Sequence, residues 1–286
     1  MARTEVVLVS GATGQQGGAI ASELLDAGWR VRAMTRKPQS DAARALAARG
    51  AEIVVADLND ERSLLEALDG AWGAVGVQNT WEAGVEQEEE QGKRFARAVK
   101  QAGTQHLLYQ SVGSAHRNTG IPHFDNKWRV ERTIEELGIP SWTIVRPAFF
   151  MENLISPSFK PYIDQGTFAI GMKPETKLQM VAVRDIGKYG LIAIEQHEQL
   201  NGRAIDIAGD ELTGPETAAI LSEVTGRPIG FYSVPIDQVR AGSAEFAIML
   251  EWFDAVGYEA DIEGNAREFG VAPTRFREWA RAQRWS

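Results

Sequence analysis

Residues Val6-Val-Leu-Val-Ser10, then Gly11-Ala-Thr-Gly14-Gln-Gln-Gly17-Gly18, then Ala19-Ile-Ala-Ser-Glu-Leu-Leu25, decide the fold. The β-branched run predicts a strand. Ile20, Leu24 and Leu25 stand at helical spacing and predict a helix that stops at Gly28. Between the two, Gly11 permits a tight turn, and Gly14 lets the backbone approach a pyrophosphate with no Cβ in the way. Gly17 lets helix and strand pack closely, while the helix N–H groups meet negative charge. The spacing is GxxGxxG, not the commoner GxGxxG. A glycine turn with a purely structural role is the competing reading. Its place at the first strand–helix junction of a βαβ pattern favours a dinucleotide phosphate site.

Working outward, the alternation continues. RVRAMT (30–35), AEIVVAD (51–57), AVGVQ (74–78), HLLYQSV (106–112) and SWTIVR (141–146) read as further strands. The stripes Leu64, Leu65, Leu68, then Phe95, Ala96, Val99, Ala102, then Val130, Ile134, Leu137 predict helices between them. Strands joined by helices of this length predict an α/β fold, a doubly wound parallel Rossmann sheet covered on both faces. After Pro147 the rhythm changes. Residues 151–180 read as a long irregular excursion, and MVAVRDIG (180–187) and AIDIAG (204–209) as strands with a helix over 186–194 between them. Helices are also expected over 213–225 and 273–284, the latter with Trp279 and Trp285 packing inward. The expected division is a Rossmann domain over 1–150 and a smaller C-terminal α/β lobe over 151–286, able to lend strands to the main sheet.

Composition removes several classes of function. Of 286 residues 44% are hydrophobic, ample for a core. No apolar stretch approaches the ~20 residues that span a bilayer. With no cysteine, disulfide and thiolate chemistry are excluded. His106, His116, His123 and His197 lack metal-ligand spacing, so no metal is expected. A net charge of −9 argues against nucleic-acid and membrane partners, because phosphate neutralisation needs clustered Lys and Arg. A strand so close to the N-terminus leaves no room for a signal peptide, and a cytoplasmic protein is expected. The acidic run EQEEEQGKR (86–94) reads as a solvated helix face with Glu89–Lys93 and Glu90–Arg94 pairs, rather than a site for a basic partner.

The end of the second strand bears on the choice of dinucleotide. A site for NAD places an acid there for the ribose 2′-hydroxyl. This chain has Arg36 and Lys37 instead, and a guanidinium grips a 2′-phosphate bidentately, so NADP(H) is preferred over NAD(H). Solvated loop cations are the bland alternative. Asp57, at the end of the third strand, either flanks an adenine or makes a turn. Trp252, Phe253 and Tyr258 either roof a substrate cavity or are plain core. Ser111 ends a strand without the glycine of a nucleophile elbow, though it can still line a cofactor cleft.

Taken in order, GATGQQGGAI, RKP, VADLND, GVQNTWEAGVEQEEEQGK, HFDNKWRVE and IVRPAFFMENL resemble the NmrA-like group of atypical short-chain dehydrogenases over about residues 5–270. The resemblance implies phosphate contacts from the turn Gly11, Thr13, Gly14, Gln15, Gln16 and Gly17, and 2′-phosphate contacts from Arg36 beside Lys37. It implies adenine contacts around Asp57 and Leu58, and nicotinamide-side contacts around Gln78, Asn79 and Thr80. Lys127 matches the lysine that reaches the nicotinamide ribose, and Glu152 and Asn153 match a turn beside the cofactor. Ordinary short-chain dehydrogenases precede that lysine with a tyrosine acid four residues earlier. Here the position is His123, which either supplies a proton near neutral pH or merely caps and packs. Tyr109, the nearest upstream tyrosine, reads as core. The group holds both reductases and redox-sensing regulators. The expected function is therefore NADPH-dependent reduction of a quinone or similar small acceptor, with a non-catalytic NADP(H) sensor that binds a protein partner as the alternative.

Overall fold

The computed structural model describes residues 3–285. Two compact units divide the chain. The first holds the chain up to His116, His123–Arg146 and Ile186–Ile205; the second holds Arg117–Pro122, Pro147–Asp185 and the chain from Asp206 onward. The expected boundary at 150 lies near the crossing at Pro147, but residues 186–205 return to the first unit.

In the first unit, β1 (Val6–Val9), α1 (Gln15–Asp26), β2 (Arg30–Thr35), α2 (Asp41–Ala48), β3 (Glu52–Val55), α3 (Glu61–Leu68) and β4 (Gly73–Gly76) alternate. They continue through α4 (Thr80–Ala83), α5 (Val85–Gln101), β5 (His106–Gln110), α6 (Pro122–Glu136) and β6 (Ser141–Pro147). The seven-stranded sheet has the order β10-β6-β5-β4-β1-β2-β3, with β10 spanning Arg203–Ile207. Pairings from β3 through β6 are all parallel. This is the doubly wound α/β fold. Chain order reverses between β1 and β4, so the crevice beyond their carboxyl ends is the topological switch point where such sheets bind ligands. On one face Leu64 and Leu68 of α3, Phe95 and Val99 of α5, and Val130 and Ile134 of α6 cover Leu8, Leu107 and Tyr109. On the other, α8 (Val183–Glu195) returns to lie on α1. A Cβ at Gly190 would stand 2.6 Å from Ile20, so the two helices approach without room for a side chain there.

The second unit contains β7 (Phe149–Phe150), α7 (Lys160–Asp164), β8 (Thr167–Ile170), β9 (Lys177–Val181), β11 (Asp210–Thr213), α9 (Gly214–Thr225) and β12 (Gly230–Ser233). Four later helices, α10 (Ile236–Gly242), α11 (Ala244–Ala255), α12 (Ile262–Phe269) and α13 (Phe276–Arg281), follow. The excursion expected over 151–180 is therefore not irregular. Its strands find partners far away in sequence, β8 with β12 in parallel and β9 with β11 antiparallel, and no local pattern announces them. The strand expected over 180–187 ends at Val181. Glu152 explains the break, because its Oε2 accepts the Val183 N–H at 3.0 Å and satisfies an open amide of the new helix. The last helix is shorter than 273–284, with Trp279 buried and Trp285 half-buried against it at 6.1 Å between rings.

The acidic run also needs correction. Glu89–Lys93 forms at 2.6 Å, but Arg94 donates to the Leu58 carbonyl at 2.9 Å, and Glu88 and Gln91 are buried. Four residues span a turn of helix, so the run necessarily carries an acid onto the core face along with Phe95 and Val99.

His106 opens β5 at 0% exposure, with Nδ1 2.9 Å from Ser141 Oγ and its ring stacked on Trp72. Burial, then the neighbouring His197, push its pKa down to about 3. The unfolded chain binds that proton near pH 6.5 and the folded chain does not, so stability is complete above pH 6.5 and falls as pH drops toward 3. We expect this histidine to contribute about 1.4 kcal/mol of lost stability per pH unit below that point. Denaturant titrations at pH 7.5 and 5.0 should show a smaller loss in His106→Gln than in the parent. Equal losses would mean that His106 is not the group responsible.

Candidate active site

At the switch point the backbone makes a turn through the left-handed region, which favours glycine. Gly11 has φ +60°, and the Gly14 N–H donates back to the Gly11 carbonyl at 2.9 Å. Ser10 stitches this turn to the end of β4, donating its N–H to the Val75 carbonyl at 3.0 Å and accepting the Val77 N–H on Oγ at 2.8 Å. A Cβ built on Gly17 would meet the Gly11 carbonyl oxygen at 2.4 Å. A Cβ on Gly14 would find only that oxygen, at 3.3 Å. The two glycines thus serve different ends: one lets the helix seat, the other leaves its outer side open.

The amino end of α1, like those of α5, α7, α10 and α13, lacks a side-chain cap. Ser40, Asp60, Thr213, Ser243 and Asp261 cap the helices that follow them, each accepting a helix N–H. Gly14 offers no side-chain cap to α1, and no acid lies in its first turn. Its N–H groups and partial positive charge therefore remain available to an anion. Thr13 and Gln16 are half-buried here and Gln15 is exposed; Gln16 Oε1 makes no hydrogen bond among the described residues.

Other candidate residues follow the carboxyl ends of β2, β3 and β4 in the same sheet. Arg36 and Lys37 follow β2 and are both exposed, and the Arg36 guanidinium donates through Nη2 to Glu82 of α4. The remaining donors of that fork are available to another anion. Asp57 makes a turn, its Oδ1 accepting the Asn59 N–H at 2.8 Å, and Leu58 packs against the core below. Asn79 Oδ1 accepts the Trp81 N–H at 3.1 Å and starts α4, whose first residue is Thr80. Gln78 is 4% exposed, and neither of its amide atoms has a partner among the described residues. The same is true of Gln110 at the end of β5. Buried polar groups are nearly always paired, so these open amides have capacity for a water or a ligand.

Lys127, on α6, lies 2.8 Å from Glu88 Oε1, an approach too oblique for a directed hydrogen bond. His123 is 7% exposed, one turn earlier on the same helix, between Trp81 at 5.3 Å and Phe124 at 4.9 Å ring to ring. Tyr109 is buried, and its phenol is held protonated by burial and by Glu88. Ser111 donates from Oγ to Glu131, and Glu131 accepts from Arg146 Nε at 3.0 Å, a pair with almost no exposure. Glu152 and Asn153 belong to the second unit. There both Glu152 oxygens are engaged, by Val183 N–H and by Trp279 Nε1 at 3.0 Å, and burial raises the carboxyl's pKa. Trp252, Phe253 and Tyr258 form one aromatic cluster of that unit. A cavity of about 10 Å³ beneath Phe149, Phe168 and Leu212 holds at most one water.

Reading the sequence alone missed Glu82, Glu88, Gln110 and Glu131. For Glu88 a signal existed: 88, 92, 95 and 99 are one helical stripe, so an acid stood on the core face of α5. For Glu131 the signal was weaker, a single acid between Val130 and Ile134. No group of three or more metal-binding side chains forms among the described residues.

A family model described as NmrA-like family matches residues 3–280. A (4-alkanoyl-5-oxo-2,5-dihydrofuran-3-yl)methyl phosphate reductase of Streptomyces griseus is 29% identical, with 96% of each chain covered. An NADPH-dependent quinone oxidoreductase of Escherichia coli, solved with NADPH, superposes with a TM-score of 0.82 at 22% identity, over 96% of this chain and 98% of that one. The negative transcriptional regulator NmrA, solved with NADP, gives a TM-score of 0.78 at 21% identity over 98% and 95%. At these identities the two solved structures establish the shared fold.

The glycine turn makes its own prediction. Gly17→Ala should destabilise the protein by about 1–3 kcal/mol, the cost of forcing a methyl into a packed contact. Gly14→Ala should cost less stability yet weaken dinucleotide binding at least tenfold, about 1.4 kcal/mol. Thermal melts and calorimetric titration of both variants check this. A Gly14→Ala protein that binds NADPH like the parent would remove the phosphate site from this turn.

Proposed function

The chain belongs to the NmrA-like family, and on that premise we propose that it is an NADPH-dependent reductase of a quinone or a similar small, readily reduced acceptor. The observation that carries the reading is the uncapped, acid-free start of α1 behind an open glycine turn, beside buried polar groups with no partner of their own. These residues fit a dinucleotide. Gly11 to Gly17 would hold the pyrophosphate on helix N–H groups, Arg36 and Lys37 the 2′-phosphate, and Asp57, Leu58, Gln78, Asn79 and Thr80 the rest of the adenosine and nicotinamide sides. When bound, the dinucleotide supplies a hydride. Lys127 would hold the nicotinamide ribose through its ammonium, which keeps its N–H donors because the Glu88 contact is oblique.

Proton supply discriminates among acceptors. The tyrosine of ordinary short-chain dehydrogenases is replaced by His123, packed between Trp81 and Phe124. Tyr109 is no substitute, since it is buried in the core and burial raises its phenol's pKa, making it a weaker proton donor. A site without a strong positioned acid suits acceptors whose reduced oxygens need little protonation in the transition state, such as quinones and enones, and suits ordinary ketones poorly. A relative named a reductase, matched over 96% of both chains, and another named an oxidoreductase support this assignment. The same absence supports the alternative, a sensor whose NADP(H) occupancy is read by another protein; the regulator NmrA shares the fold.

With purified protein, we expect NADPH to bind at least tenfold tighter than NADH, about 1.4 kcal/mol. Arg36→Ala should remove most of that preference and leave NADH affinity unchanged. Steady-state assays over quinones, enones and imines should find turnover, and His123→Phe should lower it by far less than the ~10²–10⁴-fold of a lost general acid. Equal affinities in the parent would overturn the cofactor preference. Failure of every acceptor, with NADPH and NADP⁺ changing protease protection over 114–122 and 151–180 differently, would favour the sensor.

A further inference from the structure

The first unit buries a carboxylate that the proposed reaction does not use. Glu88 is 2% exposed, on the stripe of α5 that also carries Gly92, Phe95 and Val99 into the core. Two apolar residues of similar volume in place of this acid and its lysine partner would serve stability as well or better, because both charges of a buried pair lose their hydration. The surroundings are nonetheless built around it. A Cβ on Gly92 would stand 2.8 Å from the Val130 side chain, so Val130 of α6 packs directly on the α5 backbone at that glycine. One turn before that contact on α5 lies Glu88; one turn before it on α6 lies Lys127. Glu88 Oε1 is 2.8 Å from Lys127 Nζ, and Oε2 accepts from Asn126 Nδ2 at 2.9 Å. Asn126 Nδ2 also donates to the Val85 carbonyl at 2.8 Å, anchoring the acid to the start of its own helix.

We propose that Glu88 is a positioning residue for Lys127, holding the buried ammonium charged and in place for the dinucleotide. The proposal rests on the reading that Lys127 binds the nicotinamide ribose. Other ionisable groups near Lys127 do not substitute for it. From β5, Tyr109 presents its ring face 5.8 Å from Nζ and carries no charge while its phenol is protonated. On α6 itself, Glu131 is engaged by Arg146 and Ser111, and His123 lies one turn earlier between two aromatic rings. Glu89, next to Glu88 on α5, is taken by Lys93 and Arg129. Without Glu88 the ammonium would be buried with no counter-charge, and such a lysine releases its proton at a much lower pH.

The test is the pH profile of NADPH binding to the full-length protein between pH 7 and 9. The parent should bind with a nearly constant Kd over that range. Glu88→Gln keeps the shape and removes the charge. Its Kd should rise with pH toward that of Lys127→Ala, a loss of about tenfold. Adding Lys127→Arg to Glu88→Gln should flatten the profile again, because a guanidinium does not deprotonate in this range. Should Glu88→Gln not fold, Glu88→Asp draws the carboxylate back by one methylene and should show the same rise beginning at higher pH. A purely packing role for Glu88 would change Kd by a constant factor at every pH, and that result overturns the proposal. If Lys127→Ala binds NADPH like the parent, the assignment of Lys127 to the dinucleotide falls, and the role of Glu88 falls with it. If Lys127→Ala weakens binding while the Glu88 variants stay flat with pH, only the role of Glu88 falls.

Discussion

Helix α1 sits against the end of β1 with no room for a side chain at Gly17, and the rest of the candidate site depends on that approach. A methyl there would stand 2.4 Å from the Gly11 carbonyl oxygen. Because the helix seats so closely, its first amides end at the mouth of the β1–β4 crevice, where the reversal of strand order already opens the sheet. Ser10 then ties the turn to β4 through its backbone and hydroxyl, fixing the crevice from the other side. An anion bound here would be held by backbone geometry, which asks for no cationic side chain and is compatible with a chain of net charge −9.

A second theme is the number of charges drawn between the sheet and its helices. Glu131 with Arg146, and Glu88 with Lys127, both lie in the first unit with little exposure. Burying such pairs rarely adds stability relative to apolar packing, whereas removing one member leaves an expensive lone charge. Their placement is informative. Glu131 accepts from Ser111, which follows the end of β5, and Glu88 reaches the lysine of α6. Both acids thus hold the polar groups of α6 and of the strand end it covers. In the second unit, by contrast, Glu152 is spent on architecture, linking the start of α8 to Trp279.

The sequence by itself determined the Rossmann half. Its strands and helices are local patterns: β-branched runs, stripes at helical spacing and glycines between them, so β1 to β6 lie within a few residues of where those patterns put them. The glycine turn was equally legible, since Gly11 and Gly17 are required by backbone conformation and by close packing, and no distant residue can replace either requirement. Tertiary structure alone decided three things. The strands over 151–180 exist because β11 and β12 arrive from thirty or more positions away, and no local window contains both partners. The strand over 180–187 became a helix after Val181 because Glu152, remote in sequence, accepts the amide of Val183. And an acidic run that looked like a solvated face delivered Glu88 to Lys127, because composition describes a segment as a whole, whereas burial is assigned residue by residue by the helix packed against it.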